Sequence, residues 1–174
     1  MRAIPTLKIS ISGVRGVVGQ SLTPTLLTRF AQAFGTHTGS GTIVIGRDPR
    51  TSGEMVKHAV VAGVLATGSR VIDIGVCPVP TVQLQVRHRR AQGGIAITAS
   101  HNPAEWNALK FIGSNGLFLD AGQARDTLHV IVPKIEMMQH RVERGASVCQ
   151  WLRALRPSYS QNGFASTSQM IGTS

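Results

Sequence analysis

The chain is short of cysteine. Only Cys77 and Cys149 occur in 174 residues, 72 positions apart, so no disulfide framework is expected and a reduced, cytoplasmic setting is the default reading. No His/Cys cluster has zinc-ligand spacing. Long apolar runs are also missing. None approaches the ~18–20 residues of a membrane span, and the opening MRAIPTLKISISGVRG shows neither a long apolar segment nor a cleavage site of the secretory kind. The familiar catalytic signatures are absent as well. There is no Walker loop, no clean G-x-G-x-x-G and no G-x-S-x-G elbow. Acidic residues are few, eight against 18 Lys and Arg, leaving a formal net charge of +10.

That charge is not spread evenly. Residues 1–125 hold 13 Lys/Arg and 5 Asp/Glu, whereas residues 126–174 hold 5 and 3. Within the first part the cations stand mostly alone beside glycines and turns, as Arg15, Arg47 and Arg50 do. Single arginines at Gly-rich turns suit discrete phosphate groups. The one dense run, Arg87-His88-Arg89-Arg90, reads as a solvated helix end, and nucleic acid is not expected as a partner.

Taken in order, Leu7–Ser12 alternates as a first strand and leads into Gly13-Val14-Arg15-Gly16-Val17-Val18-Gly19, a loop able to approach a ligand closely. Thr23-Pro24 marks a helix start, followed by Leu26, Leu27, Phe30, Ala31 and Phe34 on one face, with Gly35 or Gly39 as the stop. Thr42–Ile45 is a buried strand ending at Gly46-Arg47-Asp48-Pro49-Arg50-Thr51-Ser52-Gly53. Thr51 or Ser52 then caps a helix with an apolar face of Met55, Val56, Ala59, Val60, Val64 and Leu65, and Gly68 stops it. A strand over Val71–Ile74, the rigid Gly75–Pro80 loop and a short helix over Thr81–Arg90 follow. Cys77 there is read as a structural thiol. Strand and helix alternation predicts a layered α/β/α domain with a mixed, largely parallel sheet, whose ligand loops lie at strand C-terminal ends. Beyond Asp126 the pattern weakens. Leu128–Met138 reads as a short helix or strand broken at Pro133, and the Ser/Gln/Gly/Thr-rich end is expected to be poorly ordered.

The densest cluster of polar chemistry lies between two apolar runs. Ile95-Ala96-Ile97 opens into Thr98-Ala99-Ser100-His101-Asn102-Pro103, and Asn-Pro favours a turn. Ala108–Ile112 follows with Lys110 in its middle, then Gly113-Ser114-Asn115-Gly116 as a tight turn into Leu117–Leu119. Adjacent Ser100 and His101 do not suit a hydrolase pair. A turn serine among cations suits a phosphoryl carrier, because phosphoryl transfer needs positioning and positive charge more than a nucleophilic dyad. The same positions also read as an ordinary turn serine, a turn histidine and a solvent-facing strand lysine, with Trp106 as packing.

The Thr98–Pro103 segment, with Asn107 and Lys110, resembles the active-site serine loop of the α-D-phosphohexomutases, the phosphoglucomutase, phosphomannomutase and phosphoglucosamine mutase enzymes. Ser12-Gly13-Val14-Arg15-Gly16 and Gly46–Gly53 look like the same family, in the same order, over residues 1 to about 122. The resemblance implies that Ser100 carries a phosphate and passes it to a hexose monophosphate. It implies Lys110 as general base or acid, Arg15 and His101 as groups that stabilise the moving phosphoryl, and Arg15, Arg47 and Asn102 as phosphate or substrate contacts. It further implies a Mg²⁺ bound through the Ser100 phosphate, with hexose phosphates and the further domains of a full-length enzyme as partners. The chain lacks the D-x-D-x-D-R metal loop, the glutamate-containing sugar loop and the R-x-S-G-T phosphate clamp of that family. Residues 1–125 are therefore expected to be its N-terminal serine-loop domain and 126–174 a divergent tail. A truncated gene, a frameshift or an isolated domain would each account for this, with little or no mutase activity expected of the chain alone. The alternative reading is a non-catalytic domain that binds sugar phosphates or pairs with other domains.

Overall fold

The computed structural model describes residues 6–11 and 13–129. The chain divides into two compact units, Met1–Ile135 and Glu136–Ser174, and the described residues belong to the first. Expectations for Ser12 and for the tail lie outside the described residues. Six strands form one sheet: β1 Lys8–Ser10, β2 Gly13–Val17, β3 Thr42–Arg47, β4 Arg70–Val76, β5 Gly93–Ile97 and β6 Trp106–Gly113. Their spatial order is β1-β2-β6-β5-β3-β4. The sheet is mixed, as expected. β3 pairs in parallel with β4 and β5, while β6 runs antiparallel to both β5 and β2, and β1 antiparallel to β2. Strands β2 to β5 thus share one direction, and β1 and β6 oppose them.

Four helices complete the layers: α1 Pro24–His37, α2 Gly53–Leu65, α3 Val79–His88 and α4 Ala121–His129. Period-two alternation sorts the sheet residues between two faces. One face sends Val14, Ile43, Ile45, Ile95, Ile97, Leu109 and Phe111 into a core shared with Leu27, Phe30 and Phe34 of α1 and Val56, Val60 and Val64 of α2. The other sends Val44, Ala96 and Ile112 against Val82 and Val86 of α3. Burying each large apolar side chain contributes about 1.5–3 kcal/mol, so the α1/α2 side dominates the stability. Gly63 lets α1 and α2 close up, since a Cβ there would run into the Thr28 carbonyl.

The local signals explain most boundaries. Thr23 caps α1, its hydroxyl accepting from the Leu26 amide at 3.3 Å, with Pro24 in the first turn. Gly39 follows the end of α1 at φ +69°, while Gly35 lies buried inside the helix. Ser52 takes the cap position of α2 but makes no cap bond; its hydroxyl instead accepts from Asn107 Nδ2 at 2.9 Å. Leu65, expected on the apolar face of α2, is 52% exposed at the helix end. The α4 helix begins at a capping box in which Asp120 accepts from the Gly122 and Gln123 amides and Gln123 Oε1 accepts from the Asp120 amide. Among the described residues no helix is long and apolar enough to cross a membrane.

One expected element differs. Gly13–Val17 is a strand rather than a loop, because β6 and β1 both pair with it. Its glycines answer to crowding. Gly13 sits at φ +129°, and a Cβ there would strike the Leu109 carbonyl.

Candidate active site

The serine turn leaves the C-terminal end of β5. The Thr98 amide still donates to Ala108 O of β6 at 3.0 Å, and the chain then breaks away. The Ser100 amide donates to Thr98 Oγ1 at 3.1 Å, and the Asn102 amide and side-chain Nδ2 both donate to Ala99 O, at 3.1 and 2.7 Å. Ser100 itself is held at φ +55°. A left-handed conformation costs a serine about 1–2 kcal/mol, so the surrounding bonds over-determine it. The turn exposes the Ser100 and His101 side chains.

Ser100, His101 and Asn102 line a cavity of about 270 Å³ together with Arg15 of β2 and Lys110 of β6. The register explains this convergence. Arg15 lies opposite Ala108, and Lys110 opposite Ala96, so Arg15, Ala108 and Lys110 share the sheet face that α3 covers only in part. Lys110 is half-buried, its ammonium 5.8 Å from the centre of the Phe118 ring. Ser100 Oγ and His101 Nδ1 are 3.4 Å apart, longer than the ~2.6–3.2 Å of a nucleophile–base pair. The arrangement presents a hydroxyl, an imidazole, an amide and two cations to one space, which is the equipment for holding and moving an anionic phosphoryl group.

Arg47 is not brought there. It ends β3, pairs with Glu54 of α2 and donates to Asp48 O at 3.2 Å, and its Nε is buried without a partner. Arg50, three residues on, is the arginine that reaches the turn. Its guanidinium donates to Ser100 O at 2.8 Å, Asn102 O at 2.7 Å, Pro103 O at 2.7 Å and Trp106 O at 3.1 Å. Sequence reading marks Arg50 only as one cation at a Gly-rich turn; nothing local shows that it faces a loop fifty residues away. Asn107, fully buried, ties the start of β6 to Ser52. Cys77 is a half-buried free thiol whose pKa is pushed up by burial and then by Asp73, in keeping with a structural role. The cavity lining contains no carboxylate, and no group of three His, Cys, Asp or Glu among the described residues is placed to hold a metal ion.

Comparison with known proteins agrees with this geometry. Residues 7–136 match the family model described as phosphoglucomutase/phosphomannomutase, alpha/beta/alpha domain I. The chain is 47% identical over 106 residues to a Pyrococcus furiosus protein named "Probable phosphoglucosamine mutase", covering 61% of this chain and 24% of that one. It is 44% identical over 112 residues to a phosphoglucomutase/phosphomannomutase of Thermococcus kodakarensis, covering 62% and 25%. A crystal structure of a phosphoglucomutase/phosphomannomutase family protein from Burkholderia thailandensis superposes with a TM-score of 0.64 at 28% identity, over 73% of this chain and 31% of that one. The chain spans about a quarter of the length of the curated relatives it matches. With fold, strand order and serine turn all in place, the chain belongs to the phosphoglucomutase/phosphomannomutase family, as its α/β/α domain I.

Proposed function

We propose that this chain is the serine-loop domain of a phosphohexomutase, and that Ser100 carries the phosphoryl group exchanged between the 1- and 6-positions of a hexose phosphate. The observation that carries the reading is the single cavity ringed by Ser100, His101, Arg15 and Lys110. In the first half-reaction a sugar hydroxyl attacks the phosphorus of phospho-Ser100. The P–Oγ bond breaks, a new P–O bond forms to the sugar, and Lys110, as general base and acid, relays the hydroxyl proton toward the leaving serine oxygen. The released serine oxygen takes up a proton. After the bisphosphate turns over in the site, Ser100 Oγ attacks its other phosphate and the same steps run in reverse. Arg15 and His101 stabilise the equatorial oxygens as charge spreads over them, and Asn102 shapes the turn through Ala99.

The Mg²⁺ implied by the family would supply further charge neutralisation at the serine phosphate. The residues described here do not by themselves fit such a site, since the cavity offers cations and no carboxylate. The same lack supports the expectation that the 174-residue chain accepts phosphate but turns over little.

The test is intact mass and peptide mapping after incubation with glucose 1,6-bisphosphate and Mg²⁺. One phosphate should appear on Ser100, and Ser100→Ala should remain unmodified. Phosphate on another residue, or none, overturns the assignment. Binding of the bisphosphate without any transfer would instead favour a sugar-phosphate-binding domain. Rapid mutase turnover by the isolated chain would overturn the expected limitation.

A further inference from the structure

We propose that Arg50 is the positioning residue of the Ser100 turn: it fixes the serine backbone for phosphoryl transfer while touching neither phosphate nor sugar. The inference rests on the phosphoryl-carrier reading of Ser100. A guanidinium has five N–H donors in a rigid fork. In Arg50 all five are engaged. Nε donates to Asp48 Oδ2 at 3.1 Å, and the two terminal nitrogens each donate to two carbonyls, four in all, from Ser100, Asn102, Pro103 and Trp106. The side chain is only 14% exposed.

The anchoring end is equally well defined. Asp48 also accepts from the Arg50 amide at 3.2 Å, and the Asp48 amide donates to Ile97 O, the last carbonyl of β5, at 3.0 Å. The β3 exit is thus bonded to the β5 exit twice, once through backbone and once through the guanidinium. Three carbonyls of the turn and that of Trp106, where β6 begins, converge on one charge, and this convergence sets the peptide plane that follows Ser100 and holds its left-handed conformation. An arginine so occupied has no donor left for an anion. It is absent from the cavity that Arg15 and Lys110 line. Lysine cannot replace it, because an ammonium has three donors and no planar fork.

The test compares wild-type chain with Arg50→Lys and Arg50→Ala by two readouts. In amide hydrogen exchange, residues 99–106 should exchange at least tenfold faster in both variants, while residues 43–45 of β3 keep their protection. In phosphorylation by glucose 1,6-bisphosphate, the rate at saturating donor should fall about a hundredfold, the scale of a ~1 Å misplacement, with donor Kd within about twofold. Added guanidinium at non-denaturing concentration should partly restore the rate in Arg50→Ala and not in Arg50→Lys. Unchanged exchange in 99–106 overturns the proposal. So does a loss of donor affinity that matches the loss of rate, which would make Arg50 a phosphate ligand. If Arg50→Lys loses β3 protection too, Asp48→Asn provides the milder break and should move the turn alone. A wild-type chain that takes no phosphate, with the exchange result intact, removes the transfer reading and leaves the clamp standing.

Discussion

Strand β6 shows the two sides of this molecule in alternate residues. Asn107, Leu109 and Phe111 are buried on the side that α1 and α2 cover, where Phe111 stacks on Phe34 at 4.9 Å between ring centres. Trp106, Ala108 and Lys110 face the other side. There α3 seals only the part built from Val44, Ala96 and Ile112, and Lys8 and Arg15 stand exposed next to it. Lys8 lies directly opposite Arg15. Like charges so placed repel, so this side keeps an arrangement that stability alone would not choose, and an anionic ligand would relieve it. One strand therefore builds a core with one set of side chains and a site with the other. The lesson is that the two functions separate cleanly by residue parity, and mutations should separate them too.

The largest expected effect lies on the covered side. Leu109 is fully buried between α1, α2 and the sheet. Leu109→Ala should destabilise the domain by about 2–5 kcal/mol, the range for a buried leucine truncated without collapse of the cavity, as measured by urea unfolding. One residue along, Lys110→Met should leave stability within about 0.5 kcal/mol and yet abolish transfer of phosphate to or from Ser100 under the proposed mechanism. If Lys110→Met unfolds the domain as Leu109→Ala does, the open side is structural and the comparison fails. If it leaves transfer intact, Lys110 is not the proton carrier.

What was legible beforehand follows from the range of the signals. The Thr23-Pro24 start and the Ser100 turn are written within a few neighbouring residues, and the structure places both there. The Asp120–Gln123 capping box is equally local, but Gly122 in the first turn, a poor helix former, weakens its signal. Arg15 reads as a loop residue because three glycines surround it. Yet Gly13 and Gly16 serve close packing against Leu109 O and Ser21, and only Gly19 takes a left-handed conformation in the open. Pairing with a strand ninety residues away decides the conformation of Arg15. Arg47 and Arg50 are the sharpest case. Both are arginines at the same turn, three residues apart. Only the docking of α2 beside β3 sends one to Glu54 and the other across to the serine turn. No periodicity encodes that choice.

The smallest expected effect concerns neither side of the sheet but its edge, where α2 is tied to β4. Lys57 bridges Glu54 at 3.0 Å and Asp73 at 3.1 Å. Burial pushes the Asp73 carboxyl up, but the Gly75 amide at 2.8 Å and Lys57 outweigh it and hold it below its ordinary value. Glu54 is lowered by Lys57 and then Arg47, and Lys57 is raised by Glu54 and Asp73. The signs fix the pH window. Depressed carboxylates contribute stability above their ordinary pKa of about 4, and it is lost as pH falls through the folded values. A raised lysine contributes below its ordinary value of about 10.4, lost only as pH rises past the folded one. Lys57→Met should therefore lower Tm slightly and by a constant amount between about pH 5 and 9, and the difference from wild type should begin to shrink near about pH 4 and vanish only once pH has fallen through the depressed folded values. A difference that persists unchanged into acid would mean that the Lys57 stem contributes by packing rather than charge. The edge would then belong with the covered, apolar side of the molecule, and its ion pairs would carry no part of the hold between α2 and β4.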